Sequence, residues 1–286
     1  MDERTELRDF LRSRRARLRP EDVGLRDYGR MRRVAGLRRE ELARVAGVSI
    51  AHYTRLEQGR PESVSDDILD AVGTALRLDA DELTYLHEIA RPPRPCPAVT
   101  SPQAPPSLRY LLESFVLTPA LALGRHTQLV GWNGLAVAVF GDFAALPEER
   151  RTLSHLLFTE PRLRELYGTG WEPAAREHVA HLRVLLGRFR GDAGLAAHLD
   201  GLLALSADFA RLWAEHPVAR ARSRAHVLHH PVAGELTLYG ERVSLPDAPA
   251  CWGLDLFAAE PGSASERALR RLAGADIRWP RDRPAS

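Results

Sequence analysis

The chain has 286 residues, of which 44% are hydrophobic and 27% charged, and its formal net charge is +2. This composition is ordinary for a globular protein of about two domains, and no segment approaches the roughly 20 apolar residues of a membrane span. The N-terminus is charged and lacks the apolar stretch of a signal peptide, and two cysteines are too few for a disulfide framework. We therefore expect a cytoplasmic protein that is not bound to a membrane.

Charge is distributed unevenly along the N-terminal third of the chain. A first helix is predicted over 2–18, and the segment Arg4–Arg60 holds sixteen arginines against eight acidic residues. The next segment, Pro61–Ala90, holds one arginine against eight acidic residues. A basic face followed by an acidic one suits a domain that turns one side toward phosphates. The chain contains no lysine, which favours bidentate contacts with phosphate and guanine.

The segment Arg38–Arg60 has the pattern of a helix-turn-helix. Good helix formers precede Gly47, which tolerates the positive φ of a sharp turn, and Ser49 is a favourable N-cap for a second helix. That second helix, Ile50–Gln58, ends at Gly59, as is usual for the residue after a helix C-terminus. Two short helices joined by such a turn form a DNA-reading motif, whose second helix enters the major groove. An ordinary helical hairpin is the alternative.

The motif also indicates which side chains read DNA. The first residues of the second helix face the bases in this motif class, so Arg55 is suited to a bidentate contact with guanine and Ile50 to a thymine methyl. Arg39 and Gln58 match positions that contact phosphate. The predicted DNA-binding residues are Arg39, Ser49, Ile50, Ala51, His52, Thr54, Arg55 and Gln58. For any single arginine among them, the alternative is a solvated surface charge.

Two further helices and a proline-rich segment follow the motif. The helices are predicted over Ser65–Leu76 and Asp79–Ala90, each with a good N-cap and apolar residues at helical spacing. Seven prolines fall within Arg91–Pro106, which predicts a stiff, extended linker. The predicted divisions are an all-α helix-turn-helix domain of the lambda-repressor type over 1–91, a linker over 92–106, a second domain over 107–273 and a tail over 274–286.

The second domain mixes helices and strands. Two short strands are predicted within Ala120–Trp132, with Asn133 as the cap of the next helix. After several helices the apolar period changes to two, which indicates three more strands before a closing helix. The predicted helices are 107–115, 133–140, 148–158, 161–167, 173–189, 194–215 and 263–272, and the later strands are 225–230, 235–245 and 250–258. This order of elements is that of an α+β, PAS-like sensor fold.

Six motifs, two in the first domain and four in the second, resemble one family. They are GLRREELARVAGVS (Gly36–Ser49), YTRLEQGR (Tyr53–Arg60), LALGRHTQLVGWN (Leu121–Asn133), LWAEHPV (Leu212–Val218), HHPVAGELTL (His229–Leu238) and AAEPGSASERALRRL (Ala258–Leu272). Together they resemble the MmyB-like regulators of actinobacteria, which join a phage-repressor-type (XRE) helix-turn-helix to a PAS-like ligand-binding domain. The resemblance implies a transcription regulator that binds double-stranded operator DNA, often as a homodimer, and a second domain that holds a small apolar, fatty-acid-like ligand.

Polar residues near large apolar ones are consistent with a ligand pocket in the second domain, because such pockets are mostly apolar with a few polar anchors. Arg125 is suited to hold a carboxylate through a charge-assisted pair. The predicted ligand-binding residues are Arg125, Trp132, Asn133, Phe140, Trp213 and His229. For each of them the alternative is core packing or a surface role. The second domain as a whole could instead be a dimerisation module without a ligand.

Other chemistry is less favoured by the sequence. No nucleophile elbow, P-loop or dinucleotide fingerprint is present. Glu177, His178 and His181 fall on one predicted helix, but a zinc site needs three or four ligands and no further histidine or cysteine lies nearby in the sequence. We therefore expect no metal, cofactor or catalytic site, and an enzyme with an unrecognised site is the weaker alternative.

Overall fold

The structure is a computed structural model, and it describes residues 3–25, 36–59, 64–91, 105–189, 191–219, 224–244 and 253–274. Most of the predicted linker and tail, together with Arg60, lies outside these ranges. The helices are α1 (Glu3–Arg17), α2 (Arg39–Val45), α3 (Ile50–Glu57), α4 (Asp66–Ala75), α5 (Ala80–Ala90), α6 (Pro106–Ser114), α7 (Gly134–Phe140), α8 (Leu153–Thr159), α9 (Pro161–Tyr167), α10 (Trp171–Arg188), α11 (Ala193–Leu205), α12 (Ala207–Ala214) and α13 (Ala264–Ala273). The strands are β1 (Ala120–Leu123), β2 (Leu129–Trp132), β3 (Arg224–His230), β4 (Gly234–Ser244) and β5 (Gly253–Ala258).

These elements form two compact units, neither of which is continuous in sequence. The first comprises the described residues within Met1–Cys96, Val179–Asp200 and Arg211–Arg220. The second comprises those within Pro97–His178, Gly201–Ala210 and Ala221–Ser286. The division therefore passes within α10, α11 and α12. Among the described helices, none is both long enough and apolar enough to cross a lipid bilayer.

The first unit is built around the five N-terminal helices that the sequence predicts. Their apolar faces form one core, because leucine, valine and aromatic residues recur at helical spacing on each helix. The fully buried members of this core with the largest side chains are Leu7, Phe10, Leu11, Leu37, Leu42, Tyr53, Leu56, Leu69 and Tyr85. Val184 of α10 and Val218, which follows α12, pack against the same core. The unit therefore takes part of its interior from the C-terminal half of the chain.

A five-stranded antiparallel sheet with the order β2-β1-β5-β4-β3 forms the centre of the second unit. β1 lies between the other strand of its hairpin and β5, so Leu121 pairs with Trp132 on one side and with Asp255 on the other. Helix α6 packs on one face of the sheet, where Leu108 and Leu112 join an apolar cluster with β1 and β5. An all-α domain followed by an α+β, PAS-like domain is therefore the fold class, as predicted.

Two segments that were each predicted as one helix are divided in the structure, whereas the other predicted helices differ by at most a few residues at their ends. Residues 148–158 were predicted as one helix, but Glu148–Arg150 is a short 3-10 helix and Thr152 caps α8 by accepting a 3.0 Å hydrogen bond from His155 N. Residues 194–215 were also predicted as one helix. They form α11 and α12, which are separated at Ser206, whose hydroxyl accepts a 3.2 Å hydrogen bond from Phe209 N. In both cases a hydroxyl side chain begins a new helix.

Candidate DNA interface and ligand-binding region

The turn before α3 is formed by residues whose local chemistry requires it. Gly47 has φ +67°, a left-handed conformation that glycine adopts without steric cost. Ser49 is extended, with φ −67° and ψ 144°, and its hydroxyl accepts a 3.1 Å hydrogen bond from His52 N. This bond satisfies one of the backbone N–H groups that the first turn of a helix leaves open. The start of the recognition helix is therefore specified by a glycine and a capping serine.

The predicted base-reading residues share the exposed side of α3. Tyr53 and Leu56 are buried against the core, each with 1% of its surface accessible. The residues on the other side are Ser49, Ile50, Ala51, His52, Arg55 and Gln58, all exposed, with Thr54 half-buried at the border. Ile50 is 53% exposed, which is unusual for a large apolar side chain. An exposed stripe with one arginine and one isoleucine can contact guanine and a thymine methyl.

Arg39 is held beside α3 by a buried carboxylate. The Glu57 side chain is fully buried, and its Oε2 lies 3.1 Å from Arg39 Nε, while the Arg39 side chain remains 48% exposed. The other carboxylate oxygen accepts a 2.8 Å hydrogen bond from Arg15 of α1. Burial and the Glu57 carboxylate raise the pKa of the Tyr53 hydroxyl, so it stays protonated. The cluster ties α1, α2 and α3 together and fixes an exposed guanidinium at the start of α2.

In the second unit, the turn between β1 and β2 contains two buried polar residues. One of them, Arg125, belongs to the predicted ligand-binding set. Arg125 is 4% exposed and Thr127 is 1% exposed. Thr127 has φ +62°, a strained conformation for a β-branched residue. Its hydroxyl lies 2.9 Å from that of Ser154, which in turn lies 2.8 Å from His178 Nε2. This buried network holds the turn that carries Arg125.

Asn133 has a structural role that the ligand prediction did not include. Its Oδ1 accepts hydrogen bonds from Ala136 N at 2.9 Å and from Ala120 N at 3.1 Å. Its Nδ2 donates to Phe115 O at 3.0 Å and to Thr118 O at 2.8 Å. An asparagine amide has two donors and two acceptor positions. All four are used by the backbone, so Asn133 caps α7 and ties it to β1.

Two aromatic members of the predicted ligand set, Phe140 and Trp132, lie in two different groups of the second unit. Phe140 lies 4.8 Å, centroid to centroid, from Phe257 of β5. Trp132 instead makes an edge contact at 5.4 Å with Phe143, and the guanidinium of Arg151 lies 5.8 Å from its ring. The structure thus joins Phe140 to the sheet through a neighbour that was not predicted.

His229 and Trp213 do not lie with these groups. His229 is exposed on β3, where its imidazole covers Gly168, while the next residue, His230, is 3% exposed. His230 Nε2 lies 2.9 Å from Ala138 O, so the buried histidine contact is one position further along the strand than predicted. Trp213 belongs to the first compact unit, where its ring lies 4.1 Å from the Arg183 guanidinium.

A row of aromatic and histidine rings, which was not predicted from the sequence, continues from Phe140 and Phe257. His226 of β3 lies 6.0 Å from Phe257 and 5.8 Å from Tyr167. Burial lowers the pKa of His226 and raises that of Tyr167, which favours the neutral form of both. Strand alternation could have identified His226, because it lies two residues before the buried Leu228 on the same face. Tyr167 closes a helix, and no local pattern points to it.

An ion pair between adjacent strands lies on the same face as this row. Arg242 of β4 pairs with Asp255 of β5, and its Nε and Nη2 both lie 2.5 Å from the two carboxylate oxygens. The side chains are only 16% and 9% exposed. Asp255 and Phe257 are two residues apart on one strand and therefore point to the same side of the sheet. Around this charge-balanced pair the face is mostly apolar and aromatic, which is the character of a small-molecule site.

Comparison with known families assigns both halves of the chain. The profile described as helix-turn-helix domain matches residues 6–86. The profile described as MmyB-like transcription regulator ligand binding domain matches residues 104–272, more than half of the chain. Both profiles describe domains of transcription regulators. A search of curated proteins finds no match.

Proposed function

Because the chain belongs to the family of MmyB-like transcription regulators, we propose that it binds operator DNA through α3 and senses a small, fatty-acid-like ligand in its α+β domain. The two matched domains make it a transcription regulator with a DNA-binding and a ligand-binding part. The identity of the operator-reading residues, the apolar character of the ligand, the homodimer, the cytoplasmic location and the exact domain bounds are parts of the proposal.

The exposed side of α3 supports DNA binding most directly. A helix whose buried side is apolar and whose exposed side presents Ser49, Ile50 and Arg55 has the features of a major-groove reader. We propose Arg39 and Gln58 as phosphate contacts and Arg55 as a guanine contact. One such motif reads only a half-site, so we propose that the protein binds a two-fold symmetric operator as a homodimer.

Salt dependence of binding tests the DNA part of the proposal. Contacts with phosphates release counterions, so affinity should fall steeply as salt rises. Gel shifts of the full chain on DNA from upstream of its own coding sequence, over a salt series, should show this fall. Absence of any shift at low salt would refute the assignment.

The buried arginine in the β1–β2 turn and the row of rings on the sheet support the ligand part. We propose that Arg125 binds the carboxylate and that Phe140 and Trp132 contact the acyl chain. Tyr167 and His226 join the set as polar groups on an aromatic face. Three predicted ligand residues have the other contacts described above, namely Asn133, Trp213 and His229. We propose them as secondary rather than main ligand contacts.

Thermal melts with graded ligands test the ligand part. A ligand that binds only the folded protein stabilises it by about 2.7 kcal/mol at one hundred times its Kd. Fatty acids of increasing chain length should therefore raise the Tm of the full chain. Arg125→Met should reduce the rise for the acids more than for the matching alcohols, whereas Arg109→Met, on the exposed side of α6, should reduce neither. Melts that stay flat with every acid would remove the fatty-acid assignment.

A dimerisation module without a ligand is the second candidate, and one observation favours it. Apolar side chains lie on the exposed side of the β3–β4 pair, where Val227 is 41% exposed and Tyr239 and Val243 are each 42% exposed. Exposed apolar groups that lie together on one face often mark interaction sites. Flat melts together with a dimer that Tyr239→Glu dissociates would select this candidate over the sensor.

A further inference from the structure

Among the described residues that form ion pairs, Arg183 has the smallest accessible surface. It lies on α10, inside the matched ligand-binding region, and none of its surface is accessible. Its Nη1 pairs with Oε1 of Glu6, which lies on α1. Its Nη2 donates a 2.7 Å hydrogen bond to Trp213 O, and its guanidinium stacks on the Trp213 ring. Arg183 thus joins α1 to α10 and α12 within the first compact unit.

The partner of Arg183 has a second buried contact within the DNA-binding region. The Tyr85 hydroxyl, on α5, donates a 2.6 Å hydrogen bond to the same Glu6 carboxylate oxygen. Glu6 is 7% exposed and Tyr85 is 1% exposed. A buried carboxylate is tolerated only where such partners compensate for lost water. The position of α1 at this end therefore depends on groups from α5 and α10 together.

Close packing fixes α10 against α5 at the same place. A Cβ added to Gly187 would lie 2.7 Å from Cε2 of Tyr85 and 2.9 Å from Cγ2 of Ile89. Real Cβ atoms do not approach other atoms so closely, so only glycine permits this approach of the α10 backbone. The distance between these helices is therefore set sterically as well as by the ion pair.

The other end of α1 holds the recognition helix. Arg15 binds Glu57 of α3 at 2.8 Å and also donates to Leu37 O. Glu6 and Arg15 are nine residues apart, which is roughly 14 Å along a helix. Helix α1 is therefore bound near its start by Arg183 and near its end by the carboxylate that also orients Arg39. A shift of α1 at Glu6 would move the support of α3.

We propose that Arg183 is a positioning residue for DNA recognition, which acts through Glu6 and α1 to hold α3 in its DNA-reading position. A residue of the ligand-binding region then sets the affinity of the helix-turn-helix for its operator. This inference rests on the proposed DNA-binding function. It adds that the DNA reader reaches full affinity only when α10 is in place.

The test separates positioning from stability by using the full chain and paired substitutions. Arg183→Met alone leaves Glu6 buried without its charged partner and should destabilise the fold. The double variant Glu6→Gln/Arg183→Met removes both charges but keeps an amide oxygen that can accept the hydrogen bond of the Tyr85 hydroxyl, so it should be much less destabilising than the loss of one partner alone. Arg183→Lys keeps the charge but cannot donate in the same fork geometry. Arg188→Met, at an exposed position of the same helix, is the matched control.

DNA affinity is measured on duplexes that the wild-type protein selects from a random library and, in parallel, on one random duplex. We expect the double variant to melt near the wild-type Tm and to bind selected duplexes about tenfold more weakly, a difference of about 1.4 kcal/mol. Its affinity for the random duplex should fall less, because non-specific binding rests on charge near the phosphates rather than on the exact position of base-reading side chains. Arg183→Lys should show a smaller loss, and Arg188→Met none.

The outcomes that contradict the inference differ from those that contradict the proposed function. If either the double variant or Arg183→Lys has a native melt and binds selected duplexes as tightly as the wild type, the ion pair serves stability alone and the inference is refuted. Equal losses on selected and random duplexes would also refute it. If the wild-type protein selects no duplex, the DNA-binding proposal itself fails.

Discussion

Arg39 and Glu57 form an ion pair in which one partner is fully buried and the other is half exposed. The buried carboxylate belongs to the recognition helix and the exposed guanidinium to the first turn of α2. Such an arrangement restricts the rotamers of a long side chain, so less conformational entropy is lost when that side chain binds a phosphate. The pair would therefore preorganise Arg39 for the phosphate contact that we propose.

Glu57→Gln should weaken both the fold and the DNA contact. Loss of the charge removes the charge-assisted bonds to Arg15 and Arg39, each of a kind worth about 1.5–3 kcal/mol where it is buried. Denaturant unfolding should show a decrease in the free energy of unfolding that approaches this range. Most of the decrease should come from the bond to Arg15, which is the more buried partner. Binding to selected and to random DNA should fall together if Arg39 contacts phosphate as we propose. A variant that unfolds earlier but binds DNA normally would show that Glu57 does not orient Arg39.

Arg55→Ala should affect specificity more than general affinity. Arg55 lies on the exposed side of α3, and a bidentate contact with guanine is worth about 1–3 kcal/mol of discrimination. Fluorescence anisotropy on the selected duplex and on single-base variants of it should show this loss and one relaxed base preference. Arg39→Ala is the comparison, since it should weaken all sequences alike and flatten the salt slope. Equal losses on specific and random DNA for both variants would reverse these assignments.

Asn133→Ala should destabilise the second unit without selecting among ligands. The substitution removes an N-cap and leaves two partly buried carbonyl oxygens and the buried N–H of Ala120 without partners, which amounts to about 2 kcal/mol or more. The midpoint of denaturant unfolding should fall accordingly, and acids and matching alcohols should still stabilise the variant to the same relative extent as the wild type. A selective loss of the response to acids would instead make Asn133 a carboxylate contact.

Acid should destabilise the protein in part through His216. Burial, and then the positive charge of Arg183, lower the pKa of His216 from 6.5 to about 4. The unfolded chain therefore takes up this proton at a higher pH than the folded chain, and stability decreases as pH falls from about 6.5 to about 4. His226 and His230, whose pKa values burial also lowers, contribute in the same direction.

His216→Asn isolates this contribution. The backbone of His216 has φ +51°, a conformation that asparagine accepts. Between pH 7 and pH 4.5 the Tm of the variant should decrease less than that of the wild type. Identical pH profiles for the two proteins would show that His216 is not buried in its neutral form.

The helix-turn-helix could be predicted from the sequence because its signals are local. Gly47 and Ser49 specify the turn and the next helix within a few residues, and the exposed and buried sides of α3 follow from helical spacing. The break at Ser206 also has a local cause, yet continuous apolar spacing through Leu202 and Phe209 favoured one long helix. Periodicity alone cannot detect a cap within an apolar run.

The ligand region was less predictable because its contacts join distant segments. Strand alternation decides that His226 and His230 share one side of β3 and that His229, which was predicted as a ligand contact, lies on the other. Phe257 and Tyr167 meet His226 only through the sheet order and the path of α9. The pairing of Glu6 with Arg183 spans 177 positions, and no spacing rule connects residues so far apart.

The discontinuous core of the first unit has a consequence for synthesis. Val218 and Arg183 belong to the interior that surrounds α1 and α5, but they leave the ribosome long after the helix-turn-helix. Synthesis proceeds at about 5–20 residues per second from the N-terminus. The core around the helix-turn-helix is therefore completed only after most of the chain has been synthesised. An interrupted translation product would lack the part of this interior that Arg183 and Val218 supply. The order of synthesis thereby disfavours the release of a fully folded helix-turn-helix domain without the ligand-binding domain.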